Sequence, residues 1–182
     1  GVGPELEAAT LEATIAASVQ LPLGPWLGLN VSAAMILEPD RLAGILARRT
    51  RPVVLEITEH DVITDYRAVR AAVALLGRDV RLAVDDAGAG AANFTHIVEL
   101  RPDFVKIDVG LVRGVDRDLT RQALIVGLLH FARAIDGWVV AEGIETEAER
   151  QALIGLGVKL GQGYLFGRPA RVASWQALGP AA

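Results

Sequence analysis

Carboxylate and amide side chains recur along the chain at intervals of about one strand-plus-helix unit. Each follows a short apolar run; the residues are Asn30, Glu56, Asp85, Asp86 and Glu142. All five offer oxygen ligands, which are typical of sites for Mg²⁺, Mn²⁺ or Ca²⁺ rather than for zinc or copper. Taken singly, each acid could equally be a helix cap or part of a surface ion pair. Together, four carboxylates would repel one another unless bound cations neutralised them, so the set indicates a metal-dependent site.

The adjacent acids Asp85 and Asp86 suggest two metal ions rather than one. Neighbouring residues on a regular strand point to opposite faces, but at a strand end the backbone leaves the pleat and both side chains could serve neighbouring ions. Two ions about 3.5–4 Å apart activate a water and stabilise the leaving oxygen in phosphodiester hydrolysis. Gly88 and Gly90 follow directly and predict a flexible loop beside this pair. That loop lacks the Lys-Ser/Thr ending of a nucleotide-binding P-loop.

Lys106 lies inside the apolar run 104–108. A buried ammonium group is costly unless it meets carboxylates, so one interpretation is an ion pair with Asp86 or Asp108. In a second interpretation, the lysine orients an attacking water or neutralises charge that develops on phosphorus. The two roles are compatible.

Six apolar runs, dominated by Val, Ile and Leu, predict strands buried on both faces. They cover residues 26–31, 53–58, 80–85, 104–108, 138–141 and 160–166. Helical spacing predicts helices over residues 5–19, 66–76 and 116–135, and another helix after Pro39. Thr146 and Glu149 form a capping-box pattern that predicts a further helix start. This alternation predicts a parallel sheet with right-handed crossovers.

Polar residues at the ends of nearly all predicted strands favour a barrel over an open sheet. An open sheet gathers its ligand groups at one switch point, whereas a barrel gathers them from every strand around one mouth. A complete barrel has eight strands and about 250 residues. We therefore expect an α/β fold of the TIM-like (β/α) barrel type, incomplete, with about six parallel strands surrounded by helices, in a single domain over residues 1–182.

Composition excludes several classes of protein. The chain has 52% hydrophobic residues and a net charge of −4, which argues against intrinsic disorder and against a surface that grips a long nucleic acid. It has no cysteine, and hence no disulfide, thiolate zinc site or cysteine nucleophile. No apolar run reaches the roughly 18 residues of a membrane span, and no signal peptide opens the chain. We expect a cytoplasmic protein and, because the chain starts at Gly1 and its sole methionine is Met35, a segment of a longer one.

Six segments in the region 27–169 resemble, in order, the motifs of the EAL domain family of bacterial cyclic di-GMP phosphodiesterases. They are Leu29-Asn30-Val31-Ser32, Leu55-Glu56-Ile57-Thr58-Glu59, Val84-Asp85-Asp86-Ala87-Gly88-Ala89-Gly90, Val105-Lys106-Ile107-Asp108, Ala141-Glu142-Gly143-Ile144-Glu145-Thr146 and Gln162-Gly163-Tyr164-Leu165-Phe166-Gly167-Arg168-Pro169.

The resemblance implies a TIM-like barrel that binds two Mg²⁺ or Mn²⁺ ions and opens cyclic di-GMP to linear pGpG with a metal-activated water. Position by position, it implies metal ligands at Asn30, Glu56, Asp85, Asp86 and Glu142. It implies that Lys106 holds the catalytic water and that Glu142 and Asp86 share in catalysis. It further implies substrate contacts by Gln162, Arg168 and Pro169, and anchoring of the glycine-rich loop by Glu59. A sensor or regulatory domain is expected upstream in the intact protein.

Two departures from the family pattern lead to alternative hypotheses about the function of this chain. The Glu-Ala-Leu motif has no counterpart, so the chain resembles a domain truncated at its N-terminus and lacking two strands, and we expect this segment alone to be inactive. Ala87 and Ala89 stand where the family usually has Phe and Thr. They motivate a second hypothesis, a receptor that binds cyclic di-GMP without cleaving it. A third hypothesis rests on the residue types alone. It is an enolase-like enzyme, in which the acidic side chains bind Mg²⁺ and Lys106 is the base that abstracts a proton.

The long predicted helix 116–135 has a broad apolar face, with Leu124, Leu128, Phe131 and Ala132. This face could form the surface of a homodimer, or it could pack on the exterior of the barrel.

Overall fold

The computed structural model describes residues 2–22, 24–58, 61–87 and 92–175. These residues fall into two compact units. The first takes its described residues from 1–57, 61–81 and 169–182, and the second from 58–60 and 82–168.

The first unit pairs two parallel strands and surrounds them with helices. Its elements are α1 (Val2–Ser18), β1 (Leu27–Asn30), α2 (Ala33–Ile36), α3 (Pro39–Leu46), β2 (Val53–Ile57), α4 (Tyr66–Leu75) and α9 (Val172–Trp175). In the β1–β2 register Leu27 faces Val53 and Asn30 faces Glu56, so the last residue of β1 lies beside the penultimate residue of β2. Helix α1 buries Ala8, Leu11 and Ile15, a spacing of three and four residues that places them on one face.

The second unit carries the remaining strands, paired in parallel in the order β3-β4-β5-β6. Its elements are β3 (Val80–Ala87, whose first two residues belong to the first unit), α5 (Ala92–Leu100), β4 (Phe104–Ile107), α6 (Val109–Val112), a 3-10 turn (Val115–Arg117), α7 (Leu119–Ala134), β5 (Trp138–Ala141), α8 (Glu147–Leu156) and β6 (Leu160–Gly161). The hydrophobic core here joins residues of β4 and β5, such as Ile107 and Val139, to Ile125 and Leu128 of α7. Helix α7 therefore packs against β4 and β5, the strands that lead to Asp108 and Glu142.

The predicted α/β class with six parallel strands is confirmed, as are several local signals. Helix α3 begins at Pro39, and Thr146 and Glu149 form the predicted capping box of α8. Among the described residues, we find no helix with the length and apolar character needed to span a bilayer. The single-domain interpretation stays a prediction.

Two predicted boundaries are wrong for reasons that the local contacts explain. Helix α7 begins at Leu119 rather than at residue 116, because Asp118 caps it by accepting hydrogen bonds from the N–H groups of Thr120 and Arg121. Strand β6 ends at Gly161 rather than at residue 166, because the next residues turn back onto another loop. On the apolar face of α7, Leu128 and Ala132 are buried in this unit, whereas Leu124 is exposed.

A buried carboxylate, Glu149, ties together the two loops that flank α8 and α6. Its oxygens accept hydrogen bonds from the backbone N–H groups of Gly114 (3.0 Å), Glu145 (3.1 Å) and Thr146 (3.0 Å). Burial of Glu149 opposes its ionisation, but these donors and the Thr146 hydroxyl outweigh burial and lower the pKa of this carboxyl. The ionised form of Glu149 therefore stabilises the loop that leaves β5.

We predict that Glu149→Gln lowers the free energy of unfolding by about 2 kcal/mol at pH 7, since it removes charge-assisted hydrogen bonds to three donors. Because the pKa of Glu149 is lower in the folded protein, its contribution is complete above the pKa of the unfolded chain and is lost as the pH falls through the folded pKa. Urea denaturation across the acid range should therefore show that the difference in the free energy of unfolding between wild type and variant becomes smaller below pH ~4.5.

The matched control is Glu99→Gln, which removes an exposed carboxylate from α5 of the same unit. It should change stability by less than about 0.5 kcal/mol at pH 7. A Glu149→Gln protein as stable as this control at pH 7 would contradict the assigned role.

Candidate functional site

The end of β3 departs from regular strand geometry at the two predicted aspartates. Asp86 has a φ of 58°, in the left-handed region that residues other than glycine rarely adopt, and the β3–β4 register shifts between Val84 and Ala87. The Asp86 N–H donates to Asp85 Oδ1 at 2.9 Å. The predicted departure from the pleat is therefore present, and Asp85, Asp86 and Glu142 each bring a carboxylate oxygen within 4.8 Å of the others.

Lys106, in β4, pairs with two carboxylates of this group. Its Nζ lies 2.9 Å from Asp85 Oδ2 and 2.8 Å from Glu142 Oε1. The side chains of Lys106, Asp85 and Glu142 are only 7%, 14% and 15% exposed, so the ion pairs lie largely out of water. The prediction that Lys106 meets carboxylates is confirmed, but Asp85 and Glu142 were not the partners that the sequence suggested. Of the two partners first considered, Asp108 instead caps α6 by accepting from the Gly110 N–H at 2.8 Å.

Glu142 has an altered acidity because of its position. Burial, together with the negative charge of Asp85, raises the pKa of Glu142 to about 7, although Lys106 acts in the opposite direction. A carboxyl with a pKa near 7 can both accept and donate a proton close to neutral pH. In this structure, Glu142 is therefore suited to proton transfer near neutral pH.

Gln162 is held against Glu142 by a turn that depends on a glycine. Its Nε2 donates to Glu142 Oε1, and its backbone N–H donates to the Ala141 carbonyl at 2.8 Å. On either side of Gly163, the Ile144 N–H donates to the Gln162 carbonyl (3.1 Å) and the Leu165 N–H donates to the Ile144 carbonyl (3.0 Å). A Cβ at Gly163 would overlap the backbone of Ile144, so only glycine permits this approach. The contribution of Ile144 was missed in the sequence, since nothing in an apolar side chain marks a backbone contact.

Asn30 and Glu56 lie in the first unit, at the paired ends of β1 and β2. The Glu56 side chain lies over Gly28, where a Cβ would meet its Oε1. Asn30 is exposed and Glu56 half-buried. Within this unit, the structure thus brings together one amide and one carboxylate of the predicted ligand set.

The remaining predicted residues lie further along the chain or outside the described part. The Arg168 guanidinium lies over the Tyr164 ring, 4.6 Å from its centroid, and Pro169 is exposed. Glu59, predicted to anchor the loop, lies outside the described residues, as do Gly88, Ala89 and Gly90 of that loop.

The donor set of the second unit fits a hard divalent cation. Asp85, Asp86 and Glu142 offer carboxylate oxygens only, close enough together to share an ion, and Gln162 adds a neutral amide beside them. Such sets suit Mg²⁺, Mn²⁺ or Ca²⁺.

A cavity of about 280 Å³ lies elsewhere in the second unit, lined by Arg133, Trp138 and Lys159 among others. Trp138 is the first residue of β5, whereas Glu142 follows its last residue. The cavity is therefore at the opposite end of that strand and is not part of the candidate site.

Comparisons with known proteins relate this arrangement to a family. The chain is 34% identical over 125 residues to the probable cyclic di-GMP phosphodiesterase PdeD of Escherichia coli K12, covering 68% of this chain and 23% of PdeD. It is 30% identical over 148 residues to the cyclic di-GMP phosphodiesterase PdeF of the same organism, covering 78% of this chain and 20% of PdeF. The chain thus spans about a quarter or less of the length of these two relatives.

Solved structures with a similar fold include Klebsiella pneumoniae BlrP1 in a complex with manganese and cy-diGMP at pH 9.0. Its TM-score is 0.80 at 32% identity, covering 92% of this chain and 45% of that one. The EAL domain of Mycobacterium smegmatis DcpA matches with a TM-score of 0.80 at 28% identity, covering 95% of this chain and 81% of that one. These matches confirm the predicted TIM-like fold class.

The family model described as the EAL domain matches residues 1–169, which include every predicted site residue. The pairing of Lys106 with Asp85 and Glu142, the break at Asp86 and the turn at Gly163 all lie within that match. The chain belongs to the EAL domain family.

Proposed function

We propose that the complete protein carrying this chain is a phosphodiesterase that opens cyclic di-GMP to linear pGpG with two divalent cations, Mg²⁺ or Mn²⁺. The observation that carries the proposal is the buried group in which Lys106 meets Asp85 and Glu142, with Asp86 close by. The names of PdeD and PdeF support the substrate. Membership of this family disfavours the enolase-like alternative.

The proposed metal ligands are Asn30, Glu56, Asp85, Asp86 and Glu142, assigned by their positions in the family motifs. Bound divalent ions would activate a water as nucleophile and stabilise the oxygen that leaves phosphorus. Lys106 would hold that water by a hydrogen bond from its ammonium group and offset the negative charge of the phosphoryl oxygens. Glu142, whose Oε1 lies 2.8 Å from Lys106 Nζ, would share in catalysis beside that lysine. Asp86 would share in catalysis as a further carboxylate close to Asp85 and Glu142.

Substrate contacts are assigned to Gln162, Arg168 and Pro169. The Gln162 amide already donates to Glu142, so it could turn a second N–H toward a phosphate oxygen. Arg168 rests on the Tyr164 ring, which would hold its guanidinium ready for an anionic ligand. Glu59 would anchor the glycine-rich loop.

The wider setting of this activity is also a proposal. We place it in the cytoplasm, in signal transduction, under the control of an upstream sensor or regulatory domain. Relatives several times longer than this chain have room for such domains. Pairing of two copies through the exposed side of α7 stays a prediction.

The second candidate is a receptor that binds cyclic di-GMP without cleaving it. Ala87 favours it, because this residue directly follows the aspartate pair and is completely buried where the family usually has Phe. A smaller side chain there would anchor the following loop less firmly. Calorimetry of the complete protein with cyclic di-GMP, followed by chromatography for pGpG, separates the two candidates. Binding without product would support the receptor.

We predict that Asp85→Asn in the complete protein lowers the turnover of cyclic di-GMP roughly 1000-fold, because a bound metal contributes several kcal/mol to the transition state. Formation of pGpG with Mn²⁺ present, followed by chromatography, measures the effect. The control is Asp79→Asn, an exposed aspartate just before the other end of β3, which should leave turnover unchanged. Equal activity of the two variants would exclude Asp85 as a ligand.

We further predict that the isolated chain of 182 residues produces no pGpG above background, since it lacks the Glu-Ala-Leu motif that supplies a further metal ligand in the family. The same chromatographic assay, run beside the complete protein at equal concentration, checks this. Turnover by the isolated chain at the rate of the complete protein would show that the motif is dispensable here.

A further inference from the structure

The turn that follows β1 is fixed to its surroundings residue by residue. The Val31 N–H donates to the Glu56 carbonyl at 3.0 Å, and the Val31 side chain is buried. Ser32 has extended backbone dihedrals and caps α2, its Oγ accepting from the Met35 N–H at 3.2 Å. The next N–H group, that of Ala33, donates to Asp61 Oδ1 at 3.2 Å. Asn30 immediately precedes this turn.

The most extensive of these contacts comes from α1, through Glu7. Glu7 Oε1 accepts the Ser32 N–H at 2.6 Å, and Glu7 Oε2 accepts the Ser32 hydroxyl at 2.8 Å. The Ser32 hydroxyl thus donates its single proton to Glu7 and accepts a hydrogen bond from the Met35 N–H. These two bonds fix the orientation of the hydroxyl. Bonds to an ionised acceptor are stronger than neutral ones, and two of them on one residue fix its orientation.

Glu7 is itself firmly placed. It is half-buried and precedes Ala8, which with Leu11 and Ile15 forms the buried face of α1. Because Glu7 lies at the edge of a packed 17-residue helix, its carboxylate has little freedom to shift. Its position therefore determines that of Ser32, rather than the reverse.

We propose that Glu7 is a positioning residue for Asn30, holding the Asn30–Ser32 backbone so that the Asn30 amide stays in place beside Glu56. This rests on the proposed function, in which Asn30 is a metal ligand. Only two peptide planes separate the Asn30 Cα from the Ser32 Cα, and the Val31 between them is tied to β2. Asn30 is exposed and its amide is neutral, so neither burial nor charge aligns it before a metal binds. The backbone must supply that alignment.

The two hydrogen bonds from Ser32 to Glu7 would also stabilise the fold. The test therefore needs a measurement that does not change when only the stability of the fold changes. That quantity is the affinity of the complete protein for Mn²⁺ without substrate, measured by electron paramagnetic resonance of the free ion. Thermal unfolding of the same samples without metal reports on structure separately. The variants are Glu7→Gln, Ser32→Ala, their double variant, and Asn30→Ala as the reference for loss of the ligand.

We expect Glu7→Gln to weaken Mn²⁺ binding about 10-fold, as is typical when a group that orients a ligand is lost. Because both residues act through one contact, the double variant should bind no more weakly than Glu7→Gln alone. In the Asn30→Ala background, Glu7→Gln should have no further effect. The control is Glu12→Gln on the exposed side of α1, which should bind Mn²⁺ as the wild type does.

Wild-type Mn²⁺ affinity in a folded Glu7→Gln protein would overturn the inference, and so would a full additional loss in the Asn30→Ala background. If Glu7→Gln fails to fold, Ser32→Ala decides in its place: weaker Mn²⁺ binding supports the inference and unchanged binding overturns it. If Asn30→Ala itself binds Mn²⁺ as the wild type does, the ligand assignment in the proposed function has failed instead.

Discussion

A buried ammonium group holds two carboxylates together where β3 and β5 end: Lys106 Nζ lies within 2.9 Å of Asp85 Oδ2 and 2.8 Å of Glu142 Oε1. Asp85, Asp86 and Glu142 approach one another closely, and without a cation their charges would make that arrangement costly. Three carboxylates face the one ammonium group of Lys106, so a single lysine does not balance their charge. The cluster is thus an acidic site with one internal cation and the capacity for more positive charge.

The backbone supports this cluster by departing from regular structure at particular positions. Asp86 adopts a left-handed conformation, which lets consecutive aspartates approach the same acid. Gly163 allows its turn to lie directly on the backbone of Ile144, and Gln162 thereby reaches Glu142. The first departure lies near the end of β3, a strand that is mostly buried, and the second follows the two-residue strand β6. Rigid strands and irregular ends together are what an ordered site for small ions requires.

Much of the fold could be predicted from the sequence because apolar runs and helix caps are local signals. Helix α3 begins at Pro39, and α8 begins at the capping box of Thr146 and Glu149, as predicted. The length of β6 and the partners of Lys106 could not be predicted, since both depend on residues distant in sequence. The hydrogen bonds between Ile144 and the turn at Gly163 end β6, while strand pairing brings Asp85 and Glu142 to Lys106. Glu7 showed no signal at all, because its role depends on where α1 packs.

The most direct test of this account is the stability of Lys106→Met in the complete protein, measured by urea denaturation without metal. Lys159→Met, which removes the exposed lysine over Trp138, is the matched control. We predict that Lys106→Met lowers the free energy of unfolding by about 3 kcal/mol, because it leaves two buried carboxylates uncompensated, and that Mn²⁺ restores more stability to it than to the wild type. A Lys106→Met protein as stable as Lys159→Met, and no more responsive to Mn²⁺ than the wild type, would contradict the account.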